Sequence, residues 1–379
     1  MSTDWQAWRA EFPALAEWTF LNTATFGQMP RRAVAAAMRH FERRDRFACA
    51  DFMDWFDDAD RIRQLCARLV HAQPSDIAFI PNASTALSLL LGGIDWKPGD
   101  RFVTLQDEFP NHYYHPLFLS GRGVEFVETC WDRFYDAITP RTRLVAISML
   151  NYATGLRAPL AEISAFLHQR GVLFYVDGTQ GLGALEFDAS RLQPDVLAVH
   201  GYKWLLSPNG AGFMYVSPAV RRWLAPSVIG WRSHRGWRDH DNLHHGAPEF
   251  KTEAEKYEGG MLTFAVLYAM AASIEMFLEI GPAAIERRVM DLVEKTRSVL
   301  REAGAVLLSD RYPHYDSPII AAQFEGTDPS ALALRLEGNR VLVAARHGHL
   351  RVSPHFYNDE TDLEQFAVAL RQASPASTC

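Results

Sequence analysis

Two apolar runs in this chain end on residues that could do chemistry together. Leu173-Phe174-Tyr175-Val176 closes on Asp177, and Val196-Leu197-Ala198-Val199 leads through His200-Gly201-Tyr202 to Lys203. A charge at the end of a buried run is costly unless it is paired or used. A desolvated lysine has a lowered pKa, and its neutral amine attacks carbonyl carbon. A buried carboxylate beside it can hold a proton on the ring nitrogen of a bound heterocycle. Alone, Asp177 reads as a turn or helix cap and Lys203 as a side chain snorkelling from a strand end. One strand-helix-strand step apart, they read as two halves of one site.

The surrounding elements place both residues at strand ends. The runs Phe102–Leu105, Val124–Val127, Leu144–Ile147, Val172–Val176, Val196–Val199 and Phe213–Val216 read as buried strands. Helical spacing lies between several of them, as in Leu160, Ile163 and Leu167, closed by Gly171. Such alternation predicts an α/β fold with a mostly parallel central sheet, whose ligands collect at the carboxyl ends of the strands. After Gly260 the pattern changes. A long helical stretch over 263–303, broken at Gly281-Pro282, precedes short strands at Ile319–Phe324, Val341–Ala344 and Leu350–Val352. Helices fit Pro329–Glu337 and Thr361–Ala373. The expected division is a large α/β domain over 31–260 and a smaller α+β domain made of 1–30 with 261–379.

The composition narrows the function classes. The chain has 379 residues, 48% of them hydrophobic, a formal charge of −7 and a pI near 6.1. That balance argues against a nucleic-acid partner. Leu87–Ile94 is too short to cross a bilayer, and Leu262–Ile274 is interrupted by polar residues, so no membrane association is expected. Cys49, Cys66, Cys130 and Cys379 form no regular framework, and residues 1–5 lack the features of a signal peptide. The expected setting is reducing and cytoplasmic.

Several motifs now fall in a recognisable order. Val176-Asp177-Gly178-Thr179-Gln180, and His200-Gly201-Tyr202-Lys203-Trp204 with its sequel Pro208-Asn209-Gly210-Ala211-Gly212, resemble the aminotransferase class V family. That family comprises fold-type-I pyridoxal phosphate (PLP) enzymes, among them cysteine desulfurases, kynureninases and isopenicillin-N-epimerase-like proteins. Leu21-Asn22-Thr23-Ala24 resembles the N-terminal signature and Phe79-Ile80-Pro81-Asn82-Ala83-Ser84-Thr85 the first phosphate loop. Glu108-Phe109-Pro110-Asn111-His112-Tyr113, Asn151-Tyr152-Ala153-Thr154-Gly155 and Gly230-Trp231 look kynureninase-like. Arg351-Val352-Ser353-Pro354-His355-Phe356-Tyr357-Asn358 resembles the epimerase-like C-terminal signature.

The resemblance implies roles. Lys203 would form the Schiff base with PLP, Asp177 would pair with the pyridinium, and Gln180 would sit near the phenolic oxygen. Phe109 would stack on the ring. Ala83, Ser84, His200 and Tyr202 would hold the phosphate, which agrees with the anion-binding character of a helix N-terminus. His112 and Trp231 would face the cofactor, and Gly260 and Met261 would approach a partner subunit's phosphate through their backbone. Arg351 would clamp the α-carboxylate, with Asn22, Asn151, Arg346 and His347 around the substrate. A homodimer with sites at its interface is implied too.

Other readings are weaker. His112 and His115, His244-His245, and His347-Gly348-His349 lack carboxylates in ligand register, so no metal site is expected. Gly178, Gly181 and Gly183 have the order GxxGxG, and Asp177 would repel a pyrophosphate, so a nicotinamide enzyme is a distant alternative. A non-catalytic protein of the PLP fold is another. Residues 335–350 contain no cysteine, where desulfurases carry a catalytic one. The expected activity is therefore Cα deprotonation of a small amino acid, followed by cleavage of a β C–S or C–C bond without a persulfide-forming cysteine. Epimerisation or transamination are the alternatives.

Overall fold

The computed structural model describes residues 3–243 and 246–373, so His244, His245 and Cys379 lie outside the described residues. Seven strands form the central sheet: β2 (Ile77–Ile80), β3 (Arg101–Leu105), β4 (Glu125–Thr129), β5 (Thr142–Ser148), β6 (Leu173–Asp177), β7 (Val196–His200) and β8 (Gly212–Val216). Their order is β2-β8-β7-β6-β5-β3-β4. Neighbours from β7 through β4 pair in parallel, and β8 alone runs against the rest. The mostly parallel sheet expected from the sequence is thus present, with one reversed strand just after the lysine segment.

The strands read as continuous apolar runs because both faces of the sheet are covered. Along β5, Val145 and Ile147 enter one core, while Leu144 and Ala146 enter the other. Tyr175 on β6 and Ala198 on β7 belong to that second core, which helix Ala83–Gly93 covers. Because side chains alternate along a strand, Ser148, Asp177 and His200 leave the carboxyl ends of β5, β6 and β7 on this same face. Ser148 and Asp177 are register partners. The sheet therefore delivers three polar side chains to one place above one helix N-terminus.

The remaining strands are short. Antiparallel pairing joins β9 (Val306–Leu307), β10 (Ile320–Gln323), β12 (Ala344–Arg346) and β13 (His349–Val352) in the order β12-β13-β10-β9. The chain's first strand, β1 (Thr19–Phe20), pairs in parallel with β11 (Val341–Leu342). The run Val341–Ala344, expected as one strand, is split at Val343 because its two ends have different partners. The long helical stretch is two helices, Phe264–Ile280 and Pro282–Glu302, bent by 83° at Gly281. Pro282 cannot donate to the preceding helix, and Gly281 takes φ +93°. Among the described residues, no single helix is long and apolar enough to cross a membrane.

Candidate active site

Lys203 lies three residues beyond β7, in a turn where the Leu206 N–H donates to the Lys203 carbonyl at 3.1 Å. Leu206 closes that turn at φ +54°, in the left-handed region. The segment from Gly201 returns tightly to β8. The Gly201 N–H donates to the Ala211 carbonyl at 2.9 Å, and a Cβ on Gly201 would stand 2.9 Å from Ser207 Cβ. Lys203 is 6% exposed. Burial chiefly lowers its pKa to about 7; Arg351 and Arg346 push the same way, and the Asp177 carboxylate opposes them. The amine is thus substantially neutral at physiological pH.

A cavity of about 230 Å³ opens around this amine, lined by Ala83, Ser84, Phe109, Asp177, Gln180, His200, Tyr202 and Lys203, with Asn82, Asn111, Ser148, Tyr152 and Thr179. The Lys203 Nζ lies 5.6 Å from the Phe109 ring centroid and 5.3 Å from that of Tyr202. Asp177 Oδ1 accepts from the Thr179 N–H at 2.9 Å, and the Thr179 hydroxyl accepts from the His200 N–H at 3.2 Å. These bonds fix the strand ends relative to one another. Gln180 lies deeper. Its amide donates to the Ala24 carbonyl at 3.0 Å and accepts from Trp204 Nε1 at 2.9 Å.

One wall is built to receive an anion. Asn82 caps helix Ala83–Gly93 through a 2.9 Å bond from the Thr85 N–H. The N–H groups of the first turn have no helical acceptor, and the dipole favours negative charge. The Ser84 hydroxyl stands beside them, donating to Asn111 Oδ1 at 2.7 Å. His200 Nε2 is buried without a hydrogen-bond partner. Burial pushes its pKa down to about 4, with the nearby Asp177 opposing that shift. A phosphate here would meet the helix N-terminus, a hydroxyl and an imidazole, and the same cavity offers an amine and a carboxylate. This arrangement fits PLP.

Arg351 is 1% exposed on β13. It donates to the Tyr152 carbonyl at 2.6 Å, to Asn22 Oδ1 at 3.5 Å and to the Thr25 hydroxyl, while its Nε has no partner. Among the described residues no carboxylate lies within ion-pair distance of it, unlike the buried Arg63 and Arg232 with their glutamates. Burial lowers the Arg351 pKa to about 9, and the Arg346 charge adds to that. A buried guanidinium without a counter-ion is a receptor for an anionic ligand.

Other residues singled out from the sequence lie elsewhere. His112 does not line the cavity. It is buried in helix Asn111–Leu119, edge-on to Tyr175 at 5.9 Å, with Nδ1 3.5 Å from Glu108 Oε2. The Asn151 amide donates to the Asp107 carbonyl and accepts from the Ala153 and Thr154 N–H groups, so it holds two loops together. Trp231 packs edge-on to Phe56 and Trp237 and does not line the cavity. The Gly260 carbonyl accepts from Arg232 at 3.2 Å, and Met261 is exposed beside a separate recess lined by His40 and Trp55. Asn22 orients Arg351.

Sequence reasoning missed Glu108, Ser148, Tyr152, Thr179 and Thr25 as site-building residues. Glu108 is buried and accepts from the Ser148 N–H at 2.7 Å and from its hydroxyl at 2.5 Å. Glu108, Tyr152 and Thr179 stand inside the motifs named above, and that was their only signal.

With this geometry in place, the chain's relatives can be placed beside it. Residues 52–366 match the aminotransferase class V family, and the chain belongs to it. It is 27% identical to isopenicillin N epimerase of Streptomyces clavuligerus, over 97% of this chain and 98% of that protein. It is 24% identical to a probable cysteine desulfurase of Methanothermobacter thermautotrophicus, over 96% of both. Among solved structures, the cystine C–S lyase C-DES with its reaction product cysteine persulfide superposes with a TM-score of 0.88 at 22% identity, over 96% of this chain and 100% of that one. Escherichia coli cysteine desulfurase CsdA gives 0.84 at 21%, over 98% and 99%. The fold is PLP fold type I, and PLP is the cofactor. With desulfurases among the relatives, the missing cysteine in residues 335–350 does not set desulfuration aside.

Proposed function

We propose that this class V enzyme removes the Cα proton of a small amino acid and then cleaves a β C–S or C–C bond. The observation that carries the reading is Lys203: a buried amine of pKa about 7 in the same cavity as Asp177 and the anion-receiving helix end.

When bound, PLP supplies an aldehyde that condenses with amines and a protonated ring that accepts the electron pair released at Cα. The residues of the chain do the rest. Ala83, Ser84 and His200 hold the phosphate end, and Asp177 keeps its carboxylate at the floor for the ring nitrogen. Phe109 covers one face. Arg351 holds the substrate α-carboxylate, and its hydrogen bonds to Tyr152 and Asn22 keep the guanidinium aimed. Lys203, neutral near pH 7, takes the Cα proton as general base. A leaving group on Cβ then departs. The C–S lyase of the same fold supports a β-elimination of this kind.

Epimerisation is the second reading. It is favoured by the 27% identity to isopenicillin N epimerase along nearly the whole chain. A homodimer is part of the proposal, because Gly260 and Met261 lie apart from the Lys203 cavity and Met261 is exposed.

One experiment separates these outcomes. The cofactor-loaded enzyme is incubated with an amino-acid panel in deuterated water, following α-deuteration, keto acid, sulfide and chirality. Pyruvate or alanine with a released leaving group supports the lyase. Inverted chirality without release replaces it by the epimerase, and no α-deuteration of any amino acid overturns both.

A further inference from the structure

We infer that Arg346 receives a second anionic group on the substrate side chain, so that the substrate is an amino acid carrying two acidic groups. The inference rests on the proposed reaction and specifies its substrate class.

The argument begins with strand register. In the β12–β13 hairpin Ala344 pairs with Arg351, Ala345 with Leu350 and Arg346 with His349. Side chains alternate, so Arg346 and Arg351 share one face and are diagonal neighbours, while Leu350 is buried on the other. On that face the small Ala344 stands opposite Arg351, and His349 stands opposite Arg346. His347 and Gly348 form the turn with φ +46° and +76°, both left-handed, as a tight two-residue hairpin requires.

Tyr152 fixes this hairpin over the cavity. Its carbonyl accepts from Arg351 at 2.6 Å, and its hydroxyl bonds His347 Nε2 at 2.8 Å. Its ring stands edge-on to Phe109 at 5.4 Å and lines the Lys203 cavity. The hairpin therefore holds two cations near enough to Lys203 for both charges to act on its amine.

Neither cation is neutralised. Among the described residues, no carboxylate lies within ion-pair distance of Arg346 or Arg351. Arg346 makes one 2.7 Å bond to the Ala345 carbonyl, and a guanidinium has five N–H donors. Elsewhere the buried arginines Arg63, Arg232 and Arg297 each have an acidic partner. The substrate α-carboxylate accounts for one of the two charges. A second anion beyond it accounts for the other and offsets the Arg346 charge that, after burial, adds to the lowered pKa of both Arg351 and Lys203. Carboxylate and sulfur oxyanion side chains share the required chemistry.

The test uses isosteric pairs on the cofactor-loaded enzyme. The rate of α-deuteration and the calorimetric dissociation constant are measured for aspartate against asparagine and glutamate against glutamine. Cysteine sulfinate and cysteate form a separate arm that distinguishes the two oxyanions. The expected result is a preference of at least about tenfold for the anionic member of a pair, in rate and in binding. Arg346→Gln should bring that ratio to about one, and Arg346→Lys should restore part of it. A ratio near one in the unmodified enzyme, or one that survives Arg346→Gln, overturns this inference while leaving the Cα-proton reading intact. Deuteration of no amino acid overturns that reading, and this inference with it.

Discussion

The Lys203 amine lies 5.6 Å from the centroid of the Phe109 ring, and both residues line the cavity that also holds Asp177. Burial drives this amine toward its neutral form, and the Arg351 and Arg346 charges push the same way. The titration of Lys203 should show this. In cofactor-free protein its acylation by a small amine-reactive reagent, read by peptide mass spectrometry, should rise through a midpoint near pH 7. Arg351→Gln removes a lowering charge and should raise the midpoint. Asp177→Asn removes a raising charge and should lower it. The same shift makes stability rise with pH between about 7 and 10.5, where the unfolded lysine still binds a proton that the folded one has lost.

Arg351 should be decisive for amino-acid binding. Truncating one member of a desolvated, hydrogen-bonded charge pair lowers affinity by roughly two orders of magnitude. Arg351→Gln should therefore weaken amino-acid binding on that scale, while PLP still binds. Spectral titration of the loaded variant checks both, and equal losses of cofactor and amino acid would place Arg351 in another role.

Gly27 has a backbone reason to be glycine. A Cβ there would stand 1.9 Å from the Lys203 carbonyl oxygen and 2.7 Å from Leu206 Cδ2, and the Gly27 N–H donates to the Tyr202 carbonyl at 2.9 Å. Gly27→Ala must displace the turn that carries Lys203. We expect a loss of about 1–3 kcal/mol in stability and weaker cofactor retention. Thermal denaturation and PLP titration measure them, and an unchanged variant contradicts this packing.

His355 ties the C-terminal segment to the lysine turn. Its Nε2–H donates to the Trp204 carbonyl at 3.0 Å and its Nδ1 accepts from the Phe356 N–H at 2.7 Å, so the ring is neutral. Burial pushes its pKa down to about 3. Between pH 6.5 and about 3 the unfolded chain binds a proton that the folded chain does not, so stability falls as pH falls through that window. His200 acts in the same direction down to about 4. His355→Gln should flatten the pH dependence of urea unfolding between pH 6.5 and 4; an unchanged slope would contradict the assignment.

The legible part of this site was the part carried by strand ends. Asp177 and Lys203 stand at or just after the ends of apolar runs, and the β6 alternation places the Asp177 side chain, while Lys203 follows β7 in a turn. Arg351 became legible only inside its motif, because an arginine in a polar stretch looks like any surface arginine until its burial is known. Ser148 was silent and Glu108 stood only inside a motif without a role, since their bond joins the loop after β3 to the end of β5 and leaves no trace in local spacing. Asn151 shows the converse: a plausible polar residue whose amide is already committed to Asp107, Ala153 and Thr154. The two-residue strand β1 was invisible, because it exists only through its distant partner β11, whose own run Val341–Ala344 was legible as a strand.

The most direct test of the central claim is borohydride reduction of the PLP-loaded protein, followed by peptide mapping. The account predicts one pyridoxyl group, on Lys203, and none in Lys203→Ala, which should also lose α-deuteration. A reduced cofactor attached to another lysine, or a Lys203→Ala variant that keeps both chromophore and exchange, would contradict it.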